Sequence, residues 1–274
     1  EGSKGIGCIA RDSVQVIGKD LVFLSSTGLR SLGRSLESEN MPISDLSTNI
    51  RDELIVSVKA ETDLSVIKSA FNRDDGFYIL SLPARGASFV FDLKAPNSDG
   101  SWKVCEWDFA PTALNYTEGL KMFMGSGTNY LTQYSDNSDN LSTAGTGGST
   151  YQLDYEGVWN DFGEEVGNFI KIPKQVSVLG AGTAGSAVTF KWAMDYSATF
   201  NNRTLAFNSV VPAKYGTAVY GTDVYSSVSG FERVKSQLSS TGQVMKSGMI
   251  VTIDGTSFAL QRIDILAKLG KLGI

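Results

Sequence analysis

Residues 18–32 read GKDLVFLSSTGLRSL, and the same design returns at residues 74–93 (DDGFYILSLPARGASFVFDL) and 117–134 (TEGLKMFMGSGTNYLTQY). Each stretch has a polar turn, an apolar run, a break carrying Gly, Pro or Ser, and a second apolar run. Apolar residues alternate with polar or small ones at the two-residue period of a strand, so each stretch predicts an antiparallel hairpin. The first runs start at Leu21, Phe77 and Leu120, 56 and 43 residues apart. That spacing is near the roughly 40–50 residues of a propeller blade. A propeller is therefore the first reading, and a sandwich or simple meander the second.

The pattern continues on either side. Residues 13–17 form a strand before the first hairpin. Ile50, Leu54 and Val58 recur at helical spacing behind Ser47 or Thr48, which predicts one short capped helix over residues 48–58. Strands follow at 65–71, 77–82, 88–93 and 102–107, the last after a turn carrying Asp99-Gly100. Residues 135–150 are Ser, Asp, Asn, Thr, Gly and Ala around a single Leu, a loop unable to bury a core. Beyond it, residues 174–179 and 187–194 alternate strongly and predict a second hairpin joined by glycines. The expected fold is all-β. It comprises β-propeller-like blades of antiparallel strands over residues 1–150, with the short helix near 48–58. A β-sandwich-like second subdomain or elaborated blade follows over 151–225, and C-terminal strands over 226–274 return to the propeller. Three such units do not comfortably fill the 4–8 blades of a propeller, and the chain opens on Glu1 rather than Met. The expectation is of the C-terminal part of a longer repeat protein, with further blades upstream.

Composition narrows the chemistry. The 274 residues contain no histidine. Ser-His-Asp and Cys-His pairs, histidine metal ligands and a histidine base are therefore absent from this chain. Cys8 and Cys105 are widely separated and belong to no CxxC, so zinc and dithiol chemistry lose their usual ligands. Two buried thiols in a reducing cytoplasm are the expectation, with a disulfide left open. No cofactor and no catalytic residue are assigned. A net charge of −5 with scattered basic residues argues against a nucleic-acid grip. No apolar run approaches the roughly 18 residues of a membrane-crossing helix, and residues 1–5 carry no apolar signal region.

Three local motifs invite a functional reading. Gly180-Ala-Gly182-Thr-Ala-Gly185 fits G-x-G-x-x-G after a strand. A dinucleotide site needs a helix next, whereas Val188, Phe190, Trp192 and Met194 alternate as a strand, so the motif reads as a hairpin tip. Asp136, Asp139 and Asn140 offer oxygen ligands but lack the spacing of a calcium loop. Asp161 with Glu164-Glu165 reads as a solvated acidic turn rather than a glycosidase pair.

The order of four segments carries a resemblance. Gly7-Cys8-Ile-Ala10-Arg-Asp-Ser13-Val14 leads into Asp20-Leu-Val-Phe23-Leu-Ser25 and Thr27-Gly-Leu-Arg30. Asp99-Gly-Ser-Trp102 with Trp107 and Tyr215-Gly-Thr-Ala218-Val-Tyr-Gly-Thr222-Asp follow. The chain closes on Thr241-Gly-Gln-Val, then Phe258-Ala-Leu-Gln261-Arg-Ile-Asp264 and Lys268-Leu-Gly-Lys271, the last lysine standing where an arginine is expected. Together these resemble the tail nozzle (hub) proteins of short-tailed bacteriophages. The resemblance implies a non-enzymatic virion protein, assembled in the host cytoplasm as a ring, usually a homohexamer. Such rings form the distal tail tube through which the genome is ejected. The implied partners are copies of itself, a tail adaptor or portal-proximal protein, tail fibres or tip proteins, and DNA passing the lumen unread. On that reading the stretches 158–162 and 215–225 are candidate ring interfaces, because a closed ring needs two unlike faces. Asp136 and Asp139 are candidate lumen acids that repel DNA. The rival is a carbohydrate-binding propeller or adhesin whose exposed Trp and Tyr stack on sugars. A carboxylate-only enzyme comes third.

Overall fold

The computed structural model describes residues 7–33, 45–117, 121–126, 131–134, 151–163, 166–181, 187–207, 231–253 and 258–272. The chain divides into two compact units, Glu1–Tyr134 and Ser135–Ile274, and the described residues form an all-β fold with the short α-helix Arg51–Ala60.

In the first unit, three consecutive meanders each form their own antiparallel sheet. They are β1 (Gln15–Ile17), β2 (Asp20–Ser25) and β3 (Gly28–Ser31); β4 (Lys68–Asn72), β5 (Phe77–Leu82), β6 (Ala87–Asp92) and β7 (Lys103–Trp107); and β8 (Ala113–Thr117), β9 (Lys121–Gly125) and β10 (Leu131–Gln133). All three predicted hairpins are present. Residues Gly18-Lys19 close β1 on β2 through a two-residue turn, with Ile17 opposite Asp20 and Gly18 at φ 67°.

The meanders pack face to face. Side chains alternate across a strand, so the even positions of β5, Tyr78, Leu80 and Leu82, join Val22, Leu24, Leu29, Phe89 and Phe91 in one cluster. The odd positions Phe77 and Ile79 join Ala70, Val90 and Met122 in another. The middle sheet is thus covered on both sides, which is why β5 and β6 read as nearly unbroken apolar runs rather than clean alternation. Their first strands converge, with β4 lying alongside β1 and β8.

The helix α1 (Arg51–Ala60) follows a 3-10 turn at Thr48–Ile50 and buries Leu54 and Val58 in the first cluster. The expected side-chain cap from Ser47 or Thr48 is not what holds it. The Ser47 hydroxyl instead donates to Asp45 Oδ1 at 2.6 Å while accepting the Leu29 amide at 3.0 Å, and Thr48 Oγ1 donates to the Asp45 carbonyl at 2.8 Å. Asp45 is fully buried and draws Arg51 Nε to 2.5 Å, with Arg30 at 3.9 Å. The carboxylate thus ties the β2–β3 hairpin to the helix start. Gly28 sits against it at φ 122°, where an added Cβ would lie 2.7 Å from both Asp45 oxygens.

The second unit is a sandwich. One sheet runs in the order β11 (Tyr151–Glu156), β16 (Met245–Ile253), β13 (Ala187–Met194), β14 (Asn201–Ala206). The other runs β15 (Phe231–Gln237), β12 (Phe169–Ala181), β17 (Ala259–Leu272). Val176 and Val178 of one sheet face Phe190, Trp192, Met249 and Val251 of the other across a single core. Pro173 lies inside the central strand β12, where it cannot donate a ladder hydrogen bond. The pairing with β17 accordingly shifts register between Pro173 and Gln175.

Several expectations need correction. The strands at 174–179 and 187–194 are not a hairpin: β12 and β13 lie in different sheets, because each has its partners elsewhere in the sequence. The closing strands over 226–274 do not return to the first unit. β16 completes one sheet of the second unit and β15 and β17 the other, their apolar faces closing its core. The division accordingly falls after Tyr134 rather than at 150. Two expected strands begin later, with 3-10 turns at Arg11–Ser13 and Leu64–Val66 preceding β1 and β4. Cys8 and Cys105 are free but exposed rather than buried, Cys8 in an isolated bridge to Ser25 and Cys105 on the edge strand β7. Among the described residues, no helix is long and apolar enough to cross a membrane.

Candidate functional site

Among the described residues, two surface places stand out as candidates. The first is an open cleft of about 370 Å³ in the first unit, lined by residues of β1, β4 and β8 and the turn before β1. Its charged groups satisfy one another. Lys68 donates to Asp12, as does Arg11, and these two cations hold the Asp12 carboxyl below its ordinary range. Gln15 donates its amide to the Ser69 carbonyl and hydroxyl at 3.1 and 3.0 Å. The cleft is a seam between meanders, pinned by these contacts.

The second is an aromatic corner on the second unit. Loop 157–163 leaves β11 and is laid along the start of β16 by Asn160, which exchanges backbone hydrogen bonds with Met245 at 2.9 and 3.0 Å. Turn 195–199 leaves β13 on the other side, and Asp195 Oδ1 accepts the Gln243 and Val244 amides at 2.7 and 3.1 Å. The Trp159 and Tyr196 rings meet there, centroids 4.8 Å apart and planes at 44°. Val158 is 83% exposed and Tyr196 70%. The described non-glycine residues with positive φ are Phe162 (66°), Asp195 (50°) and Tyr196 (62°), all in these two loops. Backbone held in that region costs on the order of 1–3 kcal/mol per residue and persists only where its surroundings impose it.

A charge cluster lies at the roots of the loops. Lys191 Nζ reaches Asp154 at 2.5 Å and Glu156 at 2.7 Å, while Lys246 Nζ reaches Glu156 at 2.6 Å. Both ammonium groups also lie over the Phe200 ring, at 5.2 and 5.5 Å from its centroid. Glu156 is held below the usual glutamate range, by Lys191 first and then Lys246. Burial works against the Lys191 ammonium, but Asp154 and Glu156 outweigh it and its pKa is raised. From beneath, the buried Lys171 donates to the Gly167 and Gln243 carbonyls at 2.9 and 2.6 Å, fixing the strand start on which both loops rest.

Of the residues singled out by sequence, Val158, Trp159 and Phe162 are surface groups at this corner. Asp161 is exposed and accepts the Gly163 amide at 3.1 Å, while Glu164-Glu165 lie outside the described residues. So do Asp136, Asp139, Asn140, the stretch 215–225 and Gly182 to Gly185. Gly180 belongs to β12, and the segment after the glycine motif is strand β13 rather than a helix. Among the described residues, no group of three or more Cys, Asp or Glu could hold a metal ion. Sequence reasoning missed Asp195 and Tyr196 as a left-handed pair: Asp adopts that region readily, but a bulky Tyr beside it does so rarely. It also missed the seam formed by Arg11, Asp12 and Lys68, because Lys68 lies far along the chain from the adjacent Arg11-Asp12 pair. Neither the protein-family models nor the curated proteins contain a match to this chain.

Proposed function

We propose that the chain is a structural wall protein of the distal tail tube of a short-tailed bacteriophage, assembled as a ring of identical copies through which the genome leaves. The observation that carries this reading is the face-to-face stack of the first unit, in which one sheet is buried on both sides between two others. Such a stack is rigid and can be extended blade by blade, which suits a wall under load. Of the segments that carry the family resemblance, Asp20 to Ser25 is β2, Asp99 to Trp102 lies in the turn before β7 and Leu260 to Asp264 lies in β17, all framework positions, while Tyr215 to Asp223 lies outside the described residues. The charged groups of the cleft satisfy one another, as framework groups do, and the net charge of −5 suits a surface past which DNA slides. The proposed partners are neighbouring copies, a tail adaptor above and fibres or tip proteins around the ring.

The test is assembly. Analytical ultracentrifugation and negative-stain imaging of the purified chain are expected to show a closed ring of about six copies with a central channel. A chain that stays monomeric at high concentration, with antibodies against it failing to label any tail tip, would remove the proposal.

A further inference from the structure

One exposed ring, Tyr196, one half-buried ring, Trp159, and two carboxylates share the aromatic corner of the second unit. Trp159 and Tyr196 meet at 44°, so they form adjoining walls of an open angle rather than a closed stack. Among the described residues, neither the Trp159 indole N–H nor the Tyr196 hydroxyl has a hydrogen-bond partner, unlike Trp192, whose Nε1 donates to Ser240 at 2.9 Å. The rings are fixed without being consumed, because the backbone beneath each is tied to the 242–245 segment.

The charge at this corner is one-sided. Asp195 precedes Tyr196 and Asp161 follows Trp159 by two residues, and both are exposed. Among the described residues neither forms an ion pair. The lysines attached to the underlying segment are committed elsewhere, Lys171 to main-chain carbonyls and Lys246 to Glu156. An aromatic face is itself negative, and two unneutralised carboxylates add to its field. An uncharged apolar group would gain from the rings alone. A bulky, weakly hydrated cation gains from both.

We propose that the Trp159–Tyr196 corner binds a methylated ammonium group, of the kind borne by choline or by trimethyl-lysine, with Asp161 and Asp195 supplying the attracting field. The rings contact the methyl groups and the carboxylates compensate the charge without a direct hydrogen bond, since such a group has none to donate. The site is independent of the wall function. It needs neither ring nor virion, and binding by a monomer leaves it standing.

The experiment is a titration of the full chain with choline chloride and with Nε-trimethyl-lysine, followed by ligand-observed saturation-transfer NMR. Saturable binding near about 1–10 mM is expected for an open two-ring site, and the tighter of the two ligands identifies the source. The uncharged isostere 3,3-dimethylbutan-1-ol is expected to bind at least about tenfold more weakly. Trp159→Ala and Tyr196→Ala are each expected to weaken choline about threefold to thirtyfold. The double variant Asp161→Asn/Asp195→Asn, whose amide oxygens can still accept the loop N–H groups, is expected to bind more weakly and with less dependence on ionic strength. Parent-like thermal melts would show that these variants are folded. The proposal is overturned if choline does not saturate, if the isostere binds equally well, if folded Trp159→Ala binds unchanged, or if neutral saccharides bind these rings and choline does not.

Discussion

Asp45 shows how much of the first unit hangs on one buried charge. Its carboxylate is fully buried, and its side-chain partners are Ser47, Arg51 and Arg30. Removing one member of a buried pair leaves the other uncompensated, at a cost of about 3–5 kcal/mol. Asp45→Ala is therefore expected to lower the unfolding free energy of the first unit by about that amount, read by urea denaturation. Gly28→Ala attacks the same knot from the other side. It places a Cβ within 2.7 Å of the carboxylate at a φ of 122°, and about 2–4 kcal/mol of destabilisation is expected. An unchanged midpoint would show that the hairpin relaxes freely. Nothing in the sequence marks Asp45, because a lone Asp between an apolar run and a helix reads as a turn residue. The second unit has its own titratable feature. Glu156 has a folded pKa below its ordinary value of 4.5, so its stabilising share is present above that value and is lost as pH falls through the folded pKa. Acid titration of the second unit should show weakening below about pH 4.5 that Glu156→Gln largely abolishes. A parallel acid curve for the variant would show that the Glu156 ion pairs contribute little to the stability of the second unit.

At the level of elements, the hairpins of the first unit are legible in the sequence, whereas the sheets, and the pairing of 174–179 and 187–194, are not. The pairing of β2 with β3 and of β5 with β6 follows from short turns and alternation, which act over a few residues. The partners of β12 are β15 and β17, dozens of residues downstream, and alternation says which face is apolar without saying which strand lies alongside. The same limit hid the aromatic corner: Trp159 stands out in its polar loop, but its ring partner Tyr196 comes from the far end of β13. Phe77 offers a test at this scale. It meets both Trp107 and Tyr134 edge-on at 5.6 Å and lies in the cluster that seats the third meander. Phe77→Ala should cost about 3–5 kcal/mol. Hydrogen exchange is expected to quicken in β8–β10 more than in β1–β3, and uniform quickening would show that the three sheets open together.

Across the whole molecule, each apolar cluster closes within a single unit: two within the first and one within the second. Fragments 1–134 and 135–274 are therefore expected to fold separately, each with a cooperative thermal transition by circular dichroism. A fragment that is unfolded in isolation would show that the division is geometric only. The middle sheet of the first unit has a further consequence. Every residue of β5 is buried, with one cluster behind its even positions and another behind its odd ones. A strand exposed on one face can vary there at little cost, but β5 has no such face. In a saturation mutagenesis screen for folded protein, its six positions should form an uninterrupted block of intolerance, and related sequences that keep the stack should drift last at those six residues.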